Sequence, residues 1–244
     1  MRHAIGACAL ALLVALCTAG SGQADSISSA HSATPDPRIG VVFLWDTPIH
    51  TCTGTVLDTP AHDLVMTAAH CVVGSGFGIS FAPGYDNGVS PHGVYQVVQI
   101  YLDPRWKQNV EDPRFDYAVL RMQQPMPVAG MRLADAPKPT TVVTATGYAA
   151  GFNDRGVTCT TSTGLEQGFP SFACSGYLDG TSGGPWVTDD HNLVGLIGGL
   201  HQGGCPPYIV SYSPPFDAAT ARVVQRATDG ATPDIAPVAL ADGC

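Results

Sequence analysis

The chain has 244 residues, a formal net charge of −9 and only 13% charged residues. An acidic chain of this kind offers no basic surface for nucleic acid or anionic membranes, so neither partner is expected. Its 28 glycines and 20 prolines favour short strands joined by turns over long helices.

The first 24 residues have the pattern of a secretory signal peptide. Arg2 precedes an apolar run over residues 4–19, and small residues lead to a predicted cleavage after Ala24. The apolar run is too short to span a membrane, and no later run reaches that length. The sequence therefore predicts a secreted, extracellular protein.

Six cysteines remain once Cys8 and Cys17 leave with the signal peptide. An even number of cysteines in an exported chain predicts three disulfides. They are Cys52, Cys71, Cys159, Cys174, Cys205 and Cys244. Their spacing contains no CxxC and the chain no HExxH, so neither a metal site nor a cofactor is predicted.

Short apolar strands follow one another along the chain. Residues 25–37 are rich in Ser, Ala and Pro, which predicts a flexible N-terminal segment or pro-segment. Strands are predicted at 38–45, 51–57, 63–67, 94–102, 115–122, 141–147 and 192–200, with a hairpin over 159–174. A helix is predicted at 216–228 from its apolar spacing, followed by a tail over 229–244. Many strands and one late helix predict an all-β barrel class.

The stretch LDGTSGGPW, residues 178–186, places Ser182 in a permissive backbone. A nucleophilic serine needs an exposed hydroxyl on a tight turn and N–H groups aimed at the oxyanion that forms on attack. Glycine permits that close approach, and the N–H groups of Gly180 and Ser182 are the predicted oxyanion donors. Taken alone, the stretch also fits a glycine-rich surface turn.

A serine is a weak nucleophile without a base, and TAAHC at 67–71 offers His70. A base of this kind needs an orienting carboxylate. Asp116 stands at the head of an apolar strand, where a partly buried carboxylate requires a partner. Asp103 and Asp112 are alternatives, but each precedes a proline and is typical of a turn.

Together these stretches resemble the chymotrypsin/trypsin-like serine protease family. TAAHC around His70, FDYAVL around Asp116 and GTSGGP around Ser182 match the three motifs of the family, in the family's order, within residues 38–228. The spacing is similar to that of compact secreted bacterial members. The resemblance implies that His70 accepts the Ser182 proton, that Asp116 holds the His70 tautomer, and that an acyl-enzyme forms on Ser182.

The same resemblance implies the architecture and the partners. It predicts two six-stranded antiparallel β-barrels, at about 38–125 and 140–213, with the active site in the cleft between them and the helix after them. It predicts a secreted serine endopeptidase that is a monomer and acts on protein or peptide substrates. The strand expected to pair with the substrate backbone comprises Ile197, Gly198, Gly199 and Leu200.

The chain departs from the family's pattern at two places. Thr181 replaces the aspartate that pairs with a freed N-terminus in activated zymogens, so we expect the oxyanion hole to form without cleavage before Ile39. No aspartate occupies the expected floor of the specificity pocket. A neutral, small or apolar residue is therefore expected before the scissile bond.

The disulfide pairing is partly open from sequence. Cys71 is expected to pair with Cys52, 19 residues upstream, and so to restrict His70. The other four cysteines allow three pairings. The preferred set is Cys159–Cys174 with Cys205–Cys244, and the alternative is Cys174–Cys205 with Cys159–Cys244.

Two other functions fit parts of the sequence. Residues 180–184 also match the GxSxG motif of α/β-hydrolase esterases, but there the acid and the histidine follow the serine. A protease-like fold can also act as a binding module with little or no catalysis, although such homologues usually lack a triad member. Five other histidines are scattered and expected at the surface: His50, His62, His92, His191 and His201.

Overall fold

The computed structural model describes residues 27–107, 110–151 and 154–238. The predicted signal peptide and Cys244 lie outside these residues. None of the helices in this part of the chain is long and apolar enough to cross a membrane.

Seventeen strands and one α-helix make up the described fold. In chain order they are β1 (Ser28–Ser29), β2 (His31–Ser32), β3 (Ile39–Leu44), β4 (His50–Val56), β5 (Leu64–Thr67), β6 (Ile79–Pro83), β7 (Tyr95–Leu102), β8 (Trp106–Lys107), β9 (Val110–Glu111), β10 (Ala118–Met122), β11 (Arg132–Leu133), β12 (Val142–Gly147), β13 (Val157–Glu166), β14 (Phe169–Ser175), β15 (Pro185–Val187), β16 (Asn192–Leu196), β17 (Val210–Tyr212) and α1 (Ala218–Thr228).

The first half of the fold is a closed six-stranded barrel. Its antiparallel strands run in the order β10-β5-β4-β3-β6-β7. The side chains of β5 and β6 are buried along their whole length. Helix α1 packs against β7 and β10 and covers part of the outer face. Burial of this apolar surface is the main force that closes the barrel. The observed barrel agrees with the one predicted at about 38–125.

The second half is a sheet rather than the second closed barrel predicted at 140–213. Nine strands join it, in the order β1-β14-β13-β12-β15-β16-β11, with β17 on β14 and β2 on β13. Closure would require β16 to pair with β17. In the described chain two hydrogen bonds join the ends of β16 and β17, from the Gly198 N–H to the Tyr212 carbonyl (3.0 Å) and from the Leu196 N–H to Ser213 Oγ (3.1 Å). They form an open seam between the two strands and not a regular ladder.

The physical reason is the brevity of β17. A three-residue strand that pairs with β14 has few groups left for a second neighbour, and the Ser213 hydroxyl accepts the bond that a backbone carbonyl would accept in a ladder. The prediction of two six-stranded barrels was therefore wrong in its second half.

Two short strands within the segment predicted as flexible or as a pro-segment, 25–37, are attached to this sheet. Strand β1 pairs in parallel with β14, and β2 pairs antiparallel with β13. Ala30 donates its N–H to the Ser175 carbonyl at 2.8 Å. The residues of β1 and β2 are exposed serines and a histidine, so their composition gives no apolar alternation to detect.

Disulfides join neighbouring strands and loops in both halves. Cys52 pairs with Cys71 across 19 residues, and Cys159 pairs with Cys174 across 15 residues. These are the expected and the preferred pairings, and the second excludes the alternative set. Cys205 is also disulfide-bonded, and its predicted partner lies outside the described residues.

Helix α1 begins two residues later than predicted, for a local reason. Asp217 is the N-cap, and its side chain accepts from the N–H groups of Ala219 and Thr220. The Thr220 hydroxyl in turn accepts from the Asp217 N–H, which completes a capping box. The following residues return to the barrel, where Asp234 accepts from the Leu102 N–H at 2.8 Å.

Candidate active site

His70 and Asp116 are held together at one end of the barrel. His70 lies in a 3-10 helix, Ala69–Cys71, that follows β5. Asp116 ends a second 3-10 helix, Pro113–Phe115, just before β10. The His70 Nδ1 lies 2.8 Å from Asp116 Oδ2, and the His70 backbone N–H donates to Asp116 Oδ1 at 2.9 Å. The carboxylate therefore fixes both the ring and the backbone of the histidine.

The Asp116 carboxylate is buried, with only 1% of the residue exposed. Burial raises its pKa. The charge of His70 and the hydrogen bonds from His70 and from the Gly199 N–H (2.8 Å) outweigh burial and hold the pKa below its ordinary value. Asp116 is therefore an anion at neutral pH.

The two alternative carboxylates, Asp103 and Asp112, form hydrogen bonds with neighbouring arginines. Asp103 accepts from the Arg105 guanidinium and from the Tyr117 hydroxyl. Asp112 accepts from the Arg114 guanidinium and backbone. Both aspartates therefore act as the turn residues that their prolines suggested.

Ser182 lies half-buried on the turn that leads into β15. Its backbone carbonyl accepts from the Thr53 N–H at 2.8 Å, which attaches the turn to the barrel. Its Oγ donates a long bond of 3.4 Å to the Gln202 carbonyl. Ser182 and His70 line the same cleft, whose volume is about 390 Å³. The structure thus brings the three predicted residues to one place.

The two predicted oxyanion donors lie beside this serine. Gly180 adopts φ +94°, a conformation that side chains disfavour. Within the described residues, neither the Gly180 nor the Ser182 N–H donates a hydrogen bond, while their neighbours on the turn do. Gly180 and Ser182 both line the cleft. Their N–H groups are therefore placed to donate to the oxygen of a bound ligand.

Thr181 stands where activated zymogens have an aspartate, and in the described part of the chain its side chain bonds to no charged group. Its hydroxyl donates to the Leu178 carbonyl at 2.7 Å, so it closes a local turn. Ile39 lies buried at the start of β3 and pairs with Thr55 on β4. Ile39 is a strand residue, as the sequence predicted.

The predicted substrate strand is largely occupied by internal bonds. The N–H of Ile197 donates to the Gly184 carbonyl, that of Gly198 to Tyr212, and that of Gly199 to Asp116. Leu200 begins a 3-10 helix, Leu200–Gly203. These four residues do not line the cleft, whose wall on this side consists of His201, Gln202, Gly204 and Tyr208.

A much smaller cavity, about 20 Å³, lies behind Ser182. Its lining includes Asp179, Gln202, Gly204 and Tyr208, together with Ile197 of the predicted substrate strand. The Tyr208 hydroxyl donates to Asp179 Oδ1 at 2.9 Å, and this bond raises the pKa of Tyr208. A space of this size holds about one water molecule.

Three potential metal ligands cluster at the same end of the barrel. Donor atoms of Cys52, His70 and Cys71 lie within 4.8 Å of one another. The two sulfurs are joined in a disulfide, so neither is a thiolate that could bind a metal.

His50 contradicts the expectation of a surface histidine. It is fully buried on β4, and its Nε2 lies 2.6 Å from Asp154 Oδ1. Tyr85 and Tyr148 pack edge-on against the ring. The pairing partner is 104 residues away in sequence, so no local pattern could reveal it.

The comparisons with known proteins agree with this fold. The family described as trypsin-like peptidase domain matches residues 52–196, more than half of the chain, so the chain belongs to this family. The family and the fold support a serine protease function in general. No curated protein sequence matches the chain.

Solved structures share the fold at low sequence identity. The protease Anisep from Arthrobacter nicotinovorans is 21% identical with a TM-score of 0.69, covering 82% of this chain and 99% of its own. The thermostable serine protease AL20 from an extremophilic microorganism is 23% identical with a TM-score of 0.66, covering 79% and 97%. A scabies mite inactivated protease paralogue, S-D1, is 18% identical with a TM-score of 0.65, covering 85% and 100%.

Proposed function

We propose that this protein is a secreted serine endopeptidase that uses the triad His70, Asp116 and Ser182. The observation that carries the proposal is the buried Asp116 carboxylate, which binds both the backbone and the ring of His70. The fold alone would not suffice, because an inactivated protease paralogue shares it.

In the proposed reaction His70 takes the proton of Ser182 Oγ while the oxygen attacks the scissile carbonyl. The negative charge on the substrate oxygen is received by the N–H groups of Gly180 and Ser182. His70 then gives its proton to the leaving amine, and water hydrolyses the acyl-enzyme. Asp116 stays ionised and stabilises the imidazolium that forms in each step.

The small cavity behind Ser182 supports a preference for small residues before the scissile bond. Its volume of about 20 Å³ is small beside the cleft of about 390 Å³, and Tyr208 is part of its lining. This refines the neutral, small or apolar preference expected from sequence. The predicted export and the catalytic domain over 38–228 are parts of the same proposal.

Hydrolysis of peptide amides tests the proposal against a binding module. The variants Ser182→Ala, His70→Ala and the double variant are compared with Ser29→Ala, an exposed serine on β1. Each triad variant is expected to lose about 10⁶-fold in kcat, the double variant no more, and Ser29→Ala nothing. Amide hydrolysis that survives Ser182→Ala would refute the proposal.

A further inference from the structure

Thr53 is buried on β4, beside the Cys52–Cys71 disulfide, and it touches the turn that carries Ser182 at two points. Its backbone N–H donates to the Ser182 carbonyl at 2.8 Å. Its hydroxyl donates to the Gly180 carbonyl at 3.1 Å and accepts from the Tyr148 N–H at 2.8 Å. One residue of the barrel therefore holds the backbone on both sides of Thr181.

The peptide that carries the Gly180 N–H is fixed from its other end. The Asp179 carbonyl accepts from the Ala150 N–H at 2.7 Å. This peptide is trans, because the cis bond found in the described chain is Pro206-Pro207. In a trans peptide the carbonyl and the following N–H point in opposite directions. The Gly180 N–H therefore points away from Ala150.

The two anchors act on the same glycine. Ala150 orients the peptide before Gly180, and the Thr53 hydroxyl orients the peptide after it. Gly180 at φ +94° has wide conformational freedom on its own, so these bonds select one of several backbone states. In activated zymogens of the family, an aspartate orders the oxyanion hole by an ion pair with the freed N-terminus. Thr181 replaces that aspartate here, and its hydroxyl bonds only to the nearby Leu178 carbonyl.

We propose that the Thr53 side chain is a positioning residue that holds the Gly180 N–H in the oxyanion hole and so replaces activation by a freed N-terminus. It acts through Gly180 and does not touch the substrate. Its hydroxyl satisfies two buried backbone groups that nothing else in the described contacts reaches, the Gly180 carbonyl and the Tyr148 N–H. The inference rests on the proposed serine protease function.

The test uses isosteric substitution and a matched control on the same strand. Thr53→Val keeps the shape and removes the hydroxyl, while Thr53→Ser restores the hydroxyl. Thr55→Val is the control, because Thr55 is as buried as Thr53 and its Oγ1 has no hydrogen-bond partner in the described structure. Steady-state hydrolysis of a peptide amide is measured together with thermal unfolding and the pH dependence of kcat.

For Thr53→Val we expect kcat to fall about 10- to 100-fold, since displacement of one oxyanion donor by about 1 Å has an effect of this order. KM and the acidic limb of the pH profile should stay unchanged, because the triad is not altered. Thr53→Ser should recover most of kcat, and Thr55→Val should match the wild type.

Three outcomes contradict the proposal. A wild-type kcat in Thr53→Val overturns it, and so does a Thr53→Ser variant as slow as Thr53→Val, since the hydroxyl would then not be the cause. A loss of kcat that only follows the unfolded fraction also overturns it. A wild-type protein without Ser182-dependent turnover instead removes the proposed function itself, and the inference with it.

Discussion

Gly180 is the position where the smallest change should have the largest effect on catalysis. A Cβ added to Gly180 would lie 2.1 Å from the Ala150 nitrogen, the atom whose N–H orients the neighbouring peptide. Contacts below 3.0 Å do not occur at real Cβ atoms, so Gly180→Ala must move one backbone segment by about 1 Å. The movement breaks the bond from Ala150 to Asp179 and displaces an oxyanion donor.

Two magnitudes follow from this geometry. The positive φ of +94° costs about 1–2 kcal/mol of stability for any residue with a Cβ. The displaced donor costs about 10²- to 10³-fold in kcat, or about 3–4 kcal/mol of transition-state stabilisation. The catalytic loss of Gly180→Ala should therefore exceed what its loss of stability explains.

Gly168→Ala separates these two contributions. Gly168 adopts φ +85°, and a Cβ there would meet nothing within 4 Å. It should show the same order of destabilisation in denaturant unfolding and a wild-type kcat with a peptide amide. If Gly180→Ala also keeps the wild-type kcat while folded, Gly180 is not an oxyanion donor and the reasoning fails.

Three further predictions concern the rest of the site. Asp116→Asn should lower kcat by about 10⁴-fold. Because the pKa of folded Asp116 is lowered, its ionised form stabilises the fold above the ordinary aspartate pKa of about 4. That stabilisation is lost as the pH falls through the folded pKa, so the difference in unfolding free energy between wild type and Asp116→Asn should shrink with acid; a constant difference would contradict the assignment. Tyr208→Ala should raise kcat/KM about 10-fold for peptides with valine before the scissile bond, whereas Tyr208→Phe, which loses only the bond to Asp179, should stay selective for glycine and alanine. A peptide library that shows the same preference in all three proteins would exclude this cavity as the specificity pocket. Replacing Cys52 and Cys71 by alanine should lower the free energy of unfolding by about 3 kcal/mol in denaturant titrations, and a change below about 1 kcal/mol would show that the loop is constrained without the bond.

Much of the first barrel could be predicted from the sequence, and so could the grouping of the three candidate residues at one end of it. The motifs around His70 and Ser182 can be recognised from sequence because the residues that define them are adjacent in the chain. These are the cysteine next to the histidine and the glycines around the serine. Asp116 could be chosen over Asp112 because an aspartate before an apolar strand becomes buried, whereas one before a proline forms a turn.

The second sheet could not be predicted with the same success. Its open seam depends on a three-residue strand, β17, and on a hydroxyl of Ser213 that accepts a main-chain bond from Leu196. Strands β1 and β2, which pair with β14 and β13, consist of exposed polar residues, so their composition indicated a loose segment. Neither feature leaves a periodic apolar pattern.

The part of the cleft wall formed by Gln202 and Tyr208 was missed for a related reason. His201, Gln202 and Tyr208 adopt positive φ without being glycine, a backbone state that a sequence of these residues does not predict. The chain therefore turns toward Ser182 where an extended substrate-binding strand was expected. Thr53 carries no local signal, because its contacts with Gly180 and Tyr148 span 127 and 95 residues.

The most direct test of the central claim is intact-mass analysis after reaction with a fluorophosphonate, which labels an activated serine. The protein is used without trimming before Ile39, alongside Ser182→Ala and Thr55→Val. The account predicts one label on the wild type and on Thr55→Val, and none on Ser182→Ala. An unlabelled wild type, or a label that persists in Ser182→Ala, would contradict a preassembled site around Ser182.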